Sequence, residues 1–484
     1  MNVLHKVTNH CNFKFFMLCY WKNRPRFYRI FGGKTLKRPD TENQMVEGVI
    51  WKQLLTFFFP ILLGTFFQQL YNTADALIVG RTLGENALAA VGGSTGMITG
   101  TVVTFFMGLT SGASIIAAQM LGARDREKVN DSIHTIYAFS LAVGIFIAVV
   151  GVLLAEKMLV WMKTPAVLMA DSAAYLQIYF AGLVFVLVYN TGASLLRSLG
   201  DAKRPFWYLV ICCLLNVVLD YVFIVCFQMG VAGAAAATVI AQGISAVLVT
   251  LRLMRFREAC DFSFGKIRIH GEMLKRELLL GLPGGTQAAM YSISNIIVTS
   301  AINGFGELTV ASWTAYTKFD GLFWMISGAM GVTITTFVGQ NYGAGKINRI
   351  RKGVQVMNWA YVVIAIMMSA FVIVMRETLF HIFVDSREAV EIGCRMLLII
   401  SPFYLVNIYI ENYSGALRGV GDTLMPMLFS IFGICVFRII YLGLLFPRFP
   451  TLEVLCAMYP ASWVLTNTLY LLYYPIKMRK LGMR

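Results

Sequence analysis

Runs of roughly 20 or more apolar residues recur along most of this 484-residue chain. Each is long enough to cross the ~30 Å hydrocarbon layer of a membrane. Twelve such spans can be traced, at roughly 53–79, 87–118, 132–154, 172–196, 205–227, 231–254, 277–303, 308–337, 354–375, 391–417, 424–446 and 452–476. Backbone polar groups in lipid must be satisfied internally, so the spans are expected to be helices. The strands of a transmembrane barrel would instead be ~10 residues of alternating character. The composition agrees with a multi-pass helical protein: 58% of residues are apolar and 14% charged, against about 45–50% and ~25% in soluble domains.

The distribution of Lys and Arg gives an orientation. In a twelve-helix topology, 32 of the 41 basic residues fall in the N-terminal segment, the C-terminal tail and the loops on their side. Six fall in the opposite loops: Arg81, Lys157, Lys163, Arg376, Arg387 and Arg448. Basic loops stay in the cytoplasm, so both termini are expected there, in a plasma-membrane protein. The net charge of +16 then reports topology and not a nucleic-acid partner. The nine cysteines are odd in number, lack a CxxC pair and lie mostly in apolar runs, as expected of small buried hydrophobes. Residues 1–44 form a basic, aromatic tail, and Met45, just before the first span, is the expected natural start.

An internal repeat organises the rest. Gln119-Met-Leu-Gly-Ala123 and Gln340-Asn-Tyr-Gly-Ala344 share Gln, Gly and Ala at a spacing of 221 residues. Leu196-Arg-Ser-Leu-Gly-Asp201 and Leu417-Arg-Gly-Val-Gly-Asp422 share Leu, Arg, Gly and Asp at the same spacing, as do Pro205 and Pro426. Pro60 and Pro283 are 223 apart. The chain is therefore expected to be all-α and integral to the membrane, with twelve transmembrane helices in two six-helix lobes. The N-terminal lobe is set at 45–258, and the linker with the C-terminal lobe at 259–484. Even-numbered halves share one orientation, the parallel-repeat arrangement of some transporters.

Enzyme motifs are absent. There is no HExxH, GxSxG or Walker A sequence; Gly339–Lys346 imitates a phosphate loop, but Gln340 and Ile347 replace the glycine and Ser/Thr it requires. A membrane-embedded enzyme would need a catalytic constellation in these short loops, and a channel would need rings of one residue type. No cofactor is expected. Any transport must draw on an ion gradient or on the substrate's own.

Buried polar groups are the candidates for chemistry. Gln68, Asn72 and Asp75 share one helical face in the first span, and Asn216 and Asp220 share one in the fifth. A carboxylate inside a span costs at least ~2.5–3.5 kcal/mol and is usually functional or paired. Asp75 and Asp220 are expected at similar depth. Two nearby carboxylates cannot both ionise cheaply in a low dielectric, so the pair is expected to take a proton or a monovalent cation. Asn216 and the Thr238 hydroxyl are candidates to complete a Na+ site. The structural alternative is that each aspartate pairs with a neighbouring helix. The second half lacks the pair: at the same spacings Asp75, Asn216 and Asp220 become Val298, Phe437 and Tyr441. It carries Lys318, Asp320, Glu411 and Arg438 instead, with Glu411 expected to pair with Arg438 or Lys318 or to serve as a gate. Gly92, Gly96 and Gly100 form a small-residue ridge expected to pack closely on another helix. Pro60 removes one backbone hydrogen bond and permits the first helix to bend.

With these segments in view, the sequence resembles the multidrug and toxic compound extrusion (MATE) family from about residue 47 to its end. Pro60–Asp75, Ala118–Ala123, Leu196–Asp201, Asn216–Asp220, Gly339–Ala344 and Leu417–Asp422 carry the resemblance. It implies twelve helices in two lobes forming a V around a central cavity. It also implies secondary active efflux of small organic, often cationic, compounds in exchange for H+ or Na+. In the branch with its coupling site in the N-terminal lobe (DinF-like), ion coupling falls on Asp75, Asn216, Asp220 and Thr238. Cavity lining falls on Gln68, Tyr71 and Asn190, with Asn72 on the same face, and helix bending falls on Pro60. The other branch places acidic residues in the second lobe, including one in the seventh helix. Here that helix has only Glu277 at its cytoplasmic start, which leaves Glu411 as a secondary candidate. The expected partners are small organic substrates and membrane lipids, the expected state a monomer. The rival reading, a flippase for lipid-linked saccharides, needs a cationic cavity, for which Lys318 and Arg438 are the only support.

Overall fold

The computed structural model describes residues 45–482; the basic tail 1–44 lies outside the described residues. Among these, helices account for every membrane-length element. They are α1 Ile50–Leu83, α2 Glu85–Gly122 (broken at Gly93), α3 Arg126–Trp161, α4 Ala166–Ala181 with Leu183–Ser198, α5 Lys203–Cys226 and α6 Gly230–Arg255. Then follow α7 Gly271–Asn303, α8 Glu307–Gly343, α9 Ile347–Val374, α10 Arg387–Gly419, α11 Leu424–Leu444 and α12 Leu452–Lys480. The twelve expected spans all correspond to these elements. Nine are individually long and apolar enough to cross a bilayer, and the α4 pair, bent by 50°, makes a tenth. The other two, α7 and α12, are 33 and 29 residues long. At ~1.5 Å per residue either exceeds the hydrocarbon thickness. The chain is a multi-pass membrane protein, all-α, with its helices in two six-helix lobes. Its outer surface fits that solvent: Ile145, Phe146, Val149 and Leu153 of α3 are all more than half exposed, a stripe that water would penalise and lipid does not.

In the first lobe α1 packs on α5, α6 on α4 and α5, and α3 on α4. In the second, α8 packs on α9 and α10, and α12 on α10. The lobes meet where α2 lies along α7 and α8, and where α1 touches α8. α1 is shared between them. Leu54, Phe57 and Phe58, in its first turns, belong to the core of the second lobe. Gly64, one turn beyond Pro60, faces Leu209 and Phe206 of α5 in the first lobe. Pro60 thus stands where α1 passes from one lobe's core to the other's, inside a continuous helix.

The repeated motifs have a local physical reason. Gly200 and Gly421 both take a left-handed backbone with φ of +91°, which glycine adopts without a Cβ penalty and which ends a helix. The closing bonds are the same in each lobe: Asp201 N–H to Leu196 C=O and Asp422 N–H to Leu417 C=O, both at 2.9 Å. The aspartates then anchor the turn, Asp201 to Arg204 and Arg252, Asp422 to Lys477 and Tyr473.

The expected Gly92–Gly96–Gly100 contact ridge is corrected by the structure. Gly92 and Gly100 have open space where a Cβ would stand, and Gly96 meets only Val91 of its own chain. The close approaches occur further along α2. A methyl on Gly112 would sit 2.0 Å from the Glu277 carbonyl oxygen, one on Gly108 2.4 Å from the Gly285 nitrogen, and one on Gly122 1.9 Å from the Gln340 carbonyl oxygen. The tight lobe-to-lobe contact therefore lies toward the face carrying the basic loops.

Candidate ion site between the first and fifth helices

α1 and α5 run side by side, and each brings one carboxylate to the same depth. Asp75 is 9% exposed and Asp220 is fully buried. Their carboxyls are hydrogen-bonding neighbours, yet Oδ1 of each lies buried with no partner. Asn216, one turn before Asp220 on α5, is also fully buried. With its amide turned to satisfy both ends, its nitrogen donates to Asp220 Oδ2 at 2.8 Å and its oxygen accepts from the Thr238 N–H at 3.2 Å. The Thr238 hydroxyl on α6 meets the Tyr71 hydroxyl at 3.3 Å. The structure thus brings Tyr71, Asp75, Asn216, Asp220 and Thr238 into one network drawn from three helices. Immediately after Asp220 the helix widens into a π turn, Tyr221–Cys226, a local irregularity common at functional sites.

Beyond the carboxylates, toward the face opposite the basic loops, lies an apolar cluster of Val79, Ala87, Tyr175, Ile224, Val231, Ala234 and Ala235. Tyr175 of α4 lies within electrostatic range of both aspartates. Sequence reasoning missed it, because nothing in its apolar surroundings on α4 singles it out. Gln68 and Asn72 are exposed, on the same side of α1 as Asp75. Asn190 is half-buried, and its amide donates to Val186 C=O of its own helix at 2.8 Å, so it is not part of the carboxylate network.

The second lobe is built differently. The expected pairing of Glu411 with Arg438 or Lys318 is corrected: Glu411 meets Arg418, seven residues on along α10, at 3.5 Å. Arg438 is 3% exposed; it donates to Ser462 Oγ at 3.3 Å and stacks on the Tyr459 ring at 4.1 Å. Lys318 is exposed. The carboxylate of this lobe that carries a full set of donors is Asp320, half-buried on α8. Its Oδ1 accepts from Tyr404 at 2.8 Å and Tyr316 at 3.1 Å, and its Oδ2 from the Trp324 indole at 2.9 Å. Tyr316, Asp320 and Trp324 are spaced i, i+4 and i+8 on one face of α8, a signal the sequence did contain. Val298, the counterpart of Asp75, is 1% exposed in the apolar core. Glu277 is fully buried between the lobes and accepts from Ser132 Oγ at 2.6 Å. Among the described residues no cluster of three or more His, Cys, Asp or Glu is arranged to hold a metal ion.

Comparison with known proteins supplies the context for this geometry. The MatE family model matches residues 60–222 and 283–442, one segment in each half. The "Probable multidrug resistance protein YoeA" of Bacillus subtilis (strain 168) is 27% identical over 92% of this chain and 98% of its own length. The "Probable multidrug resistance protein YpnP" of the same organism is 30% identical over 81% of this chain and 87% of its own. A solved structure described as the outward-facing conformation of a multidrug resistance transporter of the MOP superfamily superposes with a TM-score of 0.84. It is 23% identical, with 92% of this chain and 99% of that one covered.

Proposed function

The chain belongs to the MATE family and is a membrane efflux transporter, and on that premise we propose that it exports small organic cations in exchange for protons or sodium ions. Asp75 and Asp220 are the coupling pair, as in the branch of the family with its site in the first lobe. The observation that carries this reading is the contact between two buried carboxyls, each with one oxygen left unpartnered. Two neighbouring anions repel strongly where water is excluded, so a proton or monovalent cation between them relieves that repulsion. A proton suits the geometry better than sodium. The Asn216 oxygen is engaged by the Thr238 N–H, which leaves few oxygens to complete a cation shell.

Export then follows by alternating access. The face bearing the basic loops and both termini is cytoplasmic, in the plasma membrane, and the protein works as a monomer. The lobes, 45–258 and 259–484, are closed on each other at that face. An ion arriving from outside neutralises the Asp75–Asp220 pair and holds it together. α1, anchored at its start in the second lobe, accommodates the change at Pro60, where one backbone hydrogen bond is already missing. The cavity side of α1, with Gln68, Tyr71 and Asn72, alters with it, and substrate leaves outward. The flippase reading loses support, since Arg438, one of its two cations, is committed to Ser462 and Tyr459.

Reconstituted protein in liposomes tests the proposal, with proton and sodium gradients imposed separately and the efflux of cationic dyes followed. Asp75→Asn and Asp220→Asn proteins should still bind dye and should lose gradient-driven export. Full export by either variant overturns the assignment.

A further inference from the structure

The two motifs that define the repeat take no part in the ion site, and their contacts are crossed. Gln119, near the end of α2 in the first lobe, donates its side-chain N–H to the Gly419 carbonyl in the second lobe at 2.8 Å. Gln340, its counterpart near the end of α8, donates to the Ser198 carbonyl in the first lobe at 2.7 Å. Ser198 and Gly419 are the last helical residues of α4 and α10, and carbonyls at a helix C-terminus lack a partner within their own helix. Each lobe therefore caps a helix of the other. The backbones are equally reciprocal: a methyl on Gly122 would lie 1.9 Å from the Gln340 oxygen, and one on Gly343 1.8 Å from the Gln119 oxygen. All four contacts sit at the basic face, and none can survive separation of the lobes there.

We infer that Gln119 and Gln340 form a reciprocal clasp that sets the balance between the basic-face-closed and basic-face-open forms during transport. They are positioning residues, remote from the coupling pair, and they act through the helix ends they cap. The inference rests on the alternating-access reading given above, but not on which ion drives it. Opening the face exchanges one buried and one half-buried amide bond for hydrated groups, so loss of one bond should shift the balance toward the open form about fivefold. Loss of both should shift it further, because the two bonds share one motion.

Hydrogen–deuterium exchange of the full-length protein in lipid nanodiscs reads this directly, alongside transport kinetics. Gln119→Met and Gln340→Met keep side-chain volume and remove the donor. Gln119→Met should speed exchange at 416–424, Gln340→Met at 195–203, and the double variant at both. Affinity for dye offered from the basic face should rise while the maximal rate falls. Gly122→Ala is the independent variant, since it leaves every hydrogen-bonding group in place and blocks only the close approach; it should speed exchange in both segments. Unchanged exchange in folded glutamine variants and in Gly122→Ala overturns the clasp. So does a uniform loss of thermal stability with affinity and rate falling together, the signature of a structural role alone. If Asp75 and Asp220 prove not to couple, the crossed exchange pattern is still expected, so the two proposals fail separately.

Discussion

Each lobe sets a carboxylate centre among its helices, and the two lobes treat it in opposite ways. In the first, Asp75 and Asp220 touch, and each keeps an unpartnered oxygen. In the second, Asp320 receives three neutral donors within 3.1 Å, from Tyr316, Trp324 and Tyr404. The exchange is close to position for position. The counterpart of Asp75 is the core residue Val298. The first-lobe counterpart of Asp320, 221 residues earlier, is Thr99, whose hydroxyl bonds Thr95 C=O of its own helix at 2.9 Å. A duplicated scaffold thus holds a carboxylate in two states of completion. A group whose donors are all supplied by the protein is held in place, whereas one left short of partners has capacity for something that arrives.

The contrast can be broken most directly at its extremes. Asp75→Asn or Asp220→Asn should abolish ion-driven export while leaving thermal unfolding in detergent unchanged or raised, because a repulsive contact is removed. Export that persists, with stability lost, would make the pair structural. Asp320→Ala should do the reverse. Three donors, two of them buried tyrosine hydroxyls, lose their acceptor, at a cost of about 2–3 kcal/mol, visible as a lower unfolding temperature, while the folded fraction still exports dye. Loss of export at unchanged stability would move coupling into the second lobe. Asn216→Ala should be intermediate: it removes one hydrogen bond to a carboxyl, worth about 1.5–3 kcal/mol, and should change the pH at which export is half-maximal without abolishing it. Glu411→Gln should be the mildest. Its bond to Arg418 is 3.5 Å long between half-buried groups and contributes less than about 1 kcal/mol, so export and unfolding temperature should both stay near the parent values.

Legibility in the sequence followed the range of the interactions. The twelve spans were readable because lipid demands long apolar helices of any chain that crosses it. The Asp75–Asp220 pairing was readable because a charged residue in such a span stands out against its neighbours. Asp320 was equally visible as a letter, but its role depends on Tyr404, which reaches it from another helix. The partner of Glu411 is hidden for a related reason: the expected span 391–417 ends just before Arg418, although seven residues along a helix place it on the same face. The glycine ridge failed because spacing on one helix does not say whether a second helix is present on that side. The same spacing rule applied to Gly108 and Gly112 would have found the real contact, and only the path of α7 distinguishes the two cases.

The crossed glutamines have a consequence for the ancestry of the chain. Each half carries both a donor, in its Gln-x-x-Gly-Ala segment, and the acceptor turn that the other half's donor seeks. A surface with both members of a joint is complementary to a copy of itself, as in a two-fold homodimer. Six helices of this kind could pair with an identical six before any gene encoded twelve. Within one chain the halves are free to differ wherever that mutual grip is not involved, as they do at Asp75 and Asp220, whose counterparts are Val298 and Tyr441.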